Sequence, residues 1–212
     1  MTMKRWSGVA GIVFVAFSVI SSLVRGSVPG TDKVDAMAKF ARFYSDSSHQ
    51  SQALASAITG VVGLFFFAWF LGGLWSALRE AEGAPATPTI IVAVGGAAFI
   101  ALAALEHIVH NSIGITLHFS DGYKLDPGLA LVLEDLGTGI FLAAMVAVGT
   151  ATAAAGVVIL RTRALPVWLA WVGFLIALLA LPLIPPLSVL GALVLALWTL
   201  VTSVLLLRPQ TA

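Results

Sequence analysis

The residues best suited to chemistry form two polar groups inside otherwise apolar segments. The first group closes one segment and the second follows the start of the next: Glu106, His107, His110 and Asn111, then Glu134, Asp135 and Thr138. At about 100° per residue, the first group shares one side of a helix. Thr138 follows Glu134 by about one helical turn. If the segments are antiparallel neighbours, three carboxyl groups and two imidazoles meet at similar depth.

Three interpretations of these polar groups stay open. One is a hydrogen-bonded cluster that fixes helix register, since polar side chains join helices within a membrane. Another is a binding site for a proton, an ion or a small polar solute, because acids within a membrane often mark such pathways. The third is a metal site, with zinc as the example, formed by His107, His110, Glu106 and Glu134.

The metal interpretation lacks a strong motif. His107 and His110 are three residues apart, whereas the two histidines of H-E-x-x-H are four apart. A bis-histidine haem is disfavoured because both histidines lie on one helix. We therefore predict no cofactor, with a zinc-dependent intramembrane hydrolase only as an alternative.

Several other function classes lack their residues. The chain has no cysteine, so disulfides, thiol catalysis and iron–sulfur ligation are absent. It has no glycine-rich phosphate loop and no G-x-S-x-G elbow. A net charge of +1 without a basic stripe argues against nucleic acid as a partner. Nothing in the sequence identifies an enzyme.

Composition indicates a membrane protein. Of 212 residues, 59% are hydrophobic and 10% are charged, against about a quarter charged in soluble domains. A crossing helix needs about 20 apolar residues. Six segments qualify: residues 6–24, 53–78, 88–113, 129–160, 165–181 and 187–207. The predicted fold is all-α, one polytopic transmembrane bundle over residues 1–212, in a bacterial inner membrane.

Charge placement predicts the orientation of the bundle. Six spans put both termini on one side, where arginines and lysines lie in short segments next to helix ends: Lys4, Arg5, Arg79, Arg161, Arg163 and Arg208. Positive charge in such segments favours the cytoplasm. The aspartates outside the spans fall on the other side: Asp32, Asp35, Asp46, Asp121 and Asp126. We predict that both termini are cytoplasmic.

An amphipathic helix is predicted at about residues 31–46, in the first outer loop. Its apolar face carries Val34, Met37, Phe40, Ala41 and Tyr44. Such a helix can join two spans, lie on the membrane surface or bind a partner. Besides the bilayer, a membrane-protein partner or a second copy of the chain is a possible partner.

Three stretches carry a family resemblance. They are Phe40-Ala41-Arg42-Phe43-Tyr44-Ser45-Asp46, the run from Phe70-Leu71-Gly72-Gly73-Leu74-Trp75 to Arg79-Glu80-Ala81-Glu82-Gly83, and Arg163-Ala164-Leu165-Pro166. The chain resembles a group of uncharacterised, largely actinobacterial membrane proteins of about six helices, known as domains of unknown function. The resemblance implies the topology and transfers no functional residue.

The leading hypothesis is a membrane protein that handles a small solute, ion or proton. Its pocket would use the polar groups in the outer half, with carboxylates binding the cation or proton and histidines tuning it near neutral pH. The alternative is a structural or accessory membrane subunit without catalysis.

Overall fold

A computed structural model describes residues 3–31, 35–120, 122–182 and 185–208. Within these ranges it contains seven helices and no strand, so the all-α prediction is confirmed. The helices are α1 (Met3–Arg25), α2 (Ala36–Tyr44), α3 (Ser47–Glu82), α4 (Thr87–Phe119), α5 (Pro127–Thr162), α6 (Val167–Leu179) and α7 (Pro185–Leu207). Five of the described helices, α1, α3, α4, α5 and α7, are long and apolar enough to cross a membrane.

The helices run up and down the bundle. The start of α1 packs on the end of α7, where a Cβ on Gly8 would lie 2.6 Å from the carbonyl oxygen of Ser203. The chain therefore begins and ends at one end of the bundle, within the described residues. We call this the inner end and the opposite one the outer end, after the predicted orientation.

The fifth predicted span, residues 165–181, contains a short helix. Helix α6 has 13 residues, or about 20 Å at 1.5 Å per residue, against about 30 Å of hydrocarbon. It pairs antiparallel with α7, and the indole nitrogen of Trp198 donates to the carbonyl oxygen of Leu169 at 3.0 Å. A count of six full spans stays a prediction.

Close helix approach at small residues holds the bundle together. A Cβ on Gly95 of α4 would lie 2.8 Å from the carbonyl oxygen of Ala147 on α5. Ser21 of α1 and Ser56 of α3 each donate to the other's carbonyl oxygen, at 2.9 and 3.1 Å. In lipid such packing and hydrogen bonding drive association, because hydrophobicity does not distinguish a helix from a lipid tail.

The three central helices extend beyond their neighbours at the outer end. Helices α3, α4 and α5 have 36, 33 and 36 residues, or about 50–54 Å, whereas α1 with 23 residues is about 35 Å long. The projecting ends and α2 form a second apolar core, which we call the outer cap. Phe40 and Tyr44 of α2 pack there with Ile113 and Ala130.

The described part of the amphipathic segment is α2. Ala36, Phe40 and Tyr44 are its buried residues, whereas Met37 is 56% exposed. Val34 and the aspartates Asp32 and Asp121 lie outside the described residues.

Candidate functional site

Five polar side chains from three helices meet where α1 ends. We call them the outer cluster: Arg25 of α1, Glu106, His107 and His110 of α4, and Glu134 of α5. The cluster lies between the bundle core and the outer cap, because Arg25 is the last residue of α1 and Glu134 lies about two turns below the outer end of α5. The four acidic and imidazole members are residues that the sequence singles out.

His110 joins the two carboxylate-bearing residues. Its Nδ1 lies 2.5 Å from Oε1 of Glu106, one helical turn away. Its Nε2 lies 3.2 Å from the backbone carbonyl oxygen of Glu134 and 3.7 Å from the Oε1 of that residue. The His110 side chain is only 6% exposed, so both ring nitrogens depend on these partners.

Arg25 is the member that sequence reasoning missed. One of its terminal nitrogens donates to both carboxylate oxygens of Glu134, at 2.9 and 3.0 Å. The side chains of Arg25 and Glu134 are 25% and 17% exposed. Arg25 is a basic residue that closes an apolar span on the same side as the acids, and that position was the available signal.

Two glycines make room for the imidazoles. A Cβ on Gly60 of α3 would lie 2.6 Å from the ring of His107, and a Cβ on Gly137 of α5 would overlap the ring of His110. Each ring therefore packs against the bare backbone of a different neighbouring helix. The Nδ1 of His107 also faces Glu106, at 3.5 Å from Oε2.

The other predicted site residues contact the outer cluster only through its backbone oxygens or are exposed. Asn111 is buried and donates to the carbonyl oxygen of His107 at 2.8 Å, so it bonds within its own helix. Thr138 is exposed and donates to the carbonyl oxygen of Glu134 at 3.0 Å. Asp135 is exposed. The structure thus brings together Glu106, His107, His110 and Glu134.

The metal site predicted from His107, His110, Glu106 and Glu134 stays a prediction. Among the described residues no group of three or more histidine and acidic side chains is arranged to hold a metal ion. The rings of His107 and His110 pack against different helices, although the Nδ1 atom of each faces the Glu106 carboxylate.

The charges of the outer cluster influence the pKa of Tyr44 on α2. Burial raises the pKa of Tyr44 from 10.0 to about 12. The negative charge of Glu134 adds to the rise in this pKa, and the positive charge of Arg25 opposes it. Tyr44 therefore presents a neutral phenol to the cluster throughout the neutral range.

No match to a known protein accompanies this geometry. No protein-family model, no curated protein and no solved structure matches the chain. The resemblance based on Phe40–Asp46, Phe70–Gly83 and Arg163–Pro166 stays a prediction.

Proposed function

We propose that this integral membrane protein takes up and releases a proton, or a small cation in its place, at the outer cluster. This proton or cation uptake would be one step by which a multi-pass protein of a bacterial inner membrane handles a small solute or ion. The support is the hydrogen-bond chain through His110, which needs one proton more than a neutral histidine and an ionised glutamate supply.

The protons of that chain can be counted. His110 lies between two oxygens, Oε1 of Glu106 and the carbonyl oxygen of Glu134. An ionised carboxylate and a carbonyl only accept, whereas a neutral imidazole has one donor and one acceptor nitrogen. Two hydrogen bonds therefore require either a doubly protonated His110 or a protonated Glu106. Removing that proton leaves a ring lone pair facing an oxygen.

The charges agree with this count. Arg25 offsets Glu134, to which it donates twice. With the shared proton, Glu106 and His110 together carry no net charge, and the cluster as a whole is neutral. Without the proton the cluster carries −1, in a place where the side chains of Glu106 and Glu134 are 14% and 17% exposed. A partly buried site disfavours that uncompensated charge, so a proton or a monovalent cation is the natural occupant.

The structural alternative has an observation of its own. The imidazoles of His107 and His110 fill spaces that Gly60 and Gly137 leave open, and Glu134 ties α5 to α1 through Arg25. An accessory subunit without transport would use the same contacts as packing. Met37, exposed on α2, would then be available to a partner.

The test is the melting temperature of the purified protein in mild detergent between pH 5 and 8. Because the folded cluster holds an extra proton, stability should fall as the pH rises and that proton is lost. Each kcal/mol lost should lower the midpoint by on the order of 2–4 °C. Glu106→Gln cannot exchange the proton and should flatten this dependence. Asp135→Asn, an exposed acid next to Glu134, is the matched control and should keep it.

Two outcomes separate the proposals. If Glu106→Gln lowers the midpoint equally at every pH, the cluster is packing and the proton proposal fails. If the pH dependence is retained in Glu106→Gln, the proton resides elsewhere and the proposal also fails. Repeating the titration with sodium replaced by a large organic cation at constant ionic strength identifies which occupant the site takes.

A further inference from the structure

A large open cavity lies at the inner end of the bundle. Its volume is about 1460 Å³, above the roughly 300–1,000 Å³ usual for small-molecule pockets. Five parts of the chain line it: the start of α1, the end of α3 with the following loop, the start of α4, the segment before α6, and the end of α7. It is remote from the outer cluster, and none of the cluster residues lines it.

Three arginines from separate elements line this cavity. They are Arg5 of α1, Arg79 of α3 and Arg208 just after α7. Within the described ranges none of the three forms an ion pair with a carboxylate. The guanidinium of Arg79 lies 5.4 Å from the centre of the Trp75 ring, which also lines the cavity. Glu80 is the one acidic lining residue of the described chain, so the lining carries more positive than negative charge.

One of the two helix beginnings at the cavity adds to the positive potential. The N-cap residues Ala86 of α4 and Pro166 of α6 both line the cavity, and neither supplies a side-chain cap. Neither helix has an acidic residue in its first turn, although the carboxylate of Glu82 accepts from the backbone nitrogen of Thr89. That contact and the other bonds at the start of α4 leave it no free N–H group, whereas the free N–H groups at the start of α6 favour an anion.

The rest of the cavity lining includes apolar side chains. Ile90, Leu165, Leu205 and Leu206 line the cavity beside the arginines. Exposed tryptophans at the same end, Trp6 and Trp168, are typical of the boundary between hydrocarbon and headgroups. An occupant would therefore meet both guanidinium groups and aliphatic side chains.

We propose that this inner cavity binds an anionic phospholipid, with the phosphate held by Arg5, Arg79 and Arg208 and the first part of the acyl chains against the apolar wall. Guanidinium groups pair with phosphate oxygens through two parallel hydrogen bonds. Basic pockets at helix ends on the cytoplasmic side suit anionic headgroups. The site is separate from the outer cluster, so either proposal can fail without the other.

Native mass spectrometry of the protein in detergent, titrated with palmitoyl-oleoyl phosphatidylglycerol or phosphatidylcholine, tests the proposal. We expect retention of the anionic lipid at lower concentration than the zwitterionic lipid. Each arginine near the surface should contribute about a fivefold change in affinity. The double variant Arg79→Gln with Arg208→Gln should therefore bind the anionic lipid with about 25-fold lower affinity. Arg79→Lys should retain more binding than Arg79→Gln, because it keeps the charge.

Arg161→Gln is the matched control, since Arg161 lies at the inner end of α5, is exposed and does not line the cavity. It should leave the affinity unchanged. An equal loss in Arg161→Gln, or no loss in the double variant, overturns the site. If millimolar inorganic phosphate displaces the anionic lipid completely and that lipid binds no tighter than phosphatidylcholine, the site belongs to free phosphate and the lipid assignment is wrong. Circular dichroism establishes that each variant is folded.

Discussion

His110 shows how one side chain links two helices at the level of single atoms. Its two ring nitrogens face oxygens from different elements, Glu106 on its own helix and Glu134 on α5. The ring cannot tilt toward α5 without meeting the backbone at Gly137. The position of this imidazole is therefore set by its surroundings.

Tyr44 offers a test of the cap that is independent of the proton proposal. Its pKa is raised to about 12, so the folded cap favours the neutral phenol. The resulting stability is present below the ordinary value of 10.0 and is lost as the pH rises from there to about 12. That loss is about 2–3 kcal/mol for docking of α2. Tyrosinate absorbance near 295 nm should show a late phase that Tyr44→Phe removes.

The chain has two tyrosines, so the control is direct. Tyr123 is 37% exposed in the loop before α5, and Tyr123→Phe should leave the late phase in place. If the late phase persists in Tyr44→Phe, the phenol is not held in the cap as the structure shows.

At this scale the sequence identified the acids and imidazoles but not how they pair. Helical spacing placed Glu106 and His110 on one face, and their contact follows from that spacing alone. Asp135 follows Glu134 directly in the sequence and also carries a carboxyl group, yet its side chain is exposed. The difference depends on the rotation of α5 about its axis, which is set by packing at Gly137 and Gly95 rather than by local pattern.

At the scale of elements, α4 packs between α3 and α5 and places one imidazole against a glycine of each. Gly60 and Gly137 provide flat surfaces on the two flanking helices, one for each imidazole. In the sequence these glycines indicated close packing in general, since small residues are common at membrane helix interfaces. Which histidine each glycine contacts can be read only from the three-dimensional arrangement of the helices.

Gly137→Ala should displace the His110 ring and disturb both of its hydrogen bonds. Overpacking of this kind costs about 1–3 kcal/mol. Gly139→Ala, on the same helix with nothing within 4 Å, should be neutral or stabilise by up to about 1 kcal/mol. Thermal unfolding of the two variants measures the difference. In a His110→Ala background the cost of Gly137→Ala should vanish, and its persistence would show that the ring is not the obstacle.

Helix lengths show what hydropathy can and cannot predict. The predicted spans 53–78, 88–113 and 129–160 lie inside α3, α4 and α5, because an apolar run reports only the part in lipid. The outer cap continues these helices in more polar sequence, as at Ser47-Ser48-His49-Gln50. The small apolar core of the outer cap forms where α2 packs over α4 and α5. These residues are far apart in the sequence, so the amphipathic pattern of α2 is the only local sign of that core.

At the scale of the whole molecule, the orientation of the bundle can be measured directly because the chain has no cysteine. Single substitutions Ala84→Cys and Ser120→Cys place one exposed thiol at the inner and outer ends. In intact cells a membrane-impermeant maleimide should label the cysteine at 120 and should label that at 84 only after permeabilisation, by the positive-inside rule. The reverse pattern would invert the predicted orientation, and labelling of both would contradict a bundle that crosses the membrane.

The short helix α6 has a consequence for the lipids around the protein. Its exposed stripe of Trp168, Trp171, Leu175 and Leu178 faces outward on a helix about 10 Å shorter than the hydrocarbon layer, whereas α3 to α5 exceed that layer. The bilayer would have to thin beside α6 and not elsewhere, at a cost of fractions of a kcal/mol per Å of mismatch. Lipids with shorter chains would relieve that cost, so the lipid layer around this protein should be uneven in composition. Neighbouring proteins whose membrane-facing surfaces are equally short would associate preferentially with the α6 side.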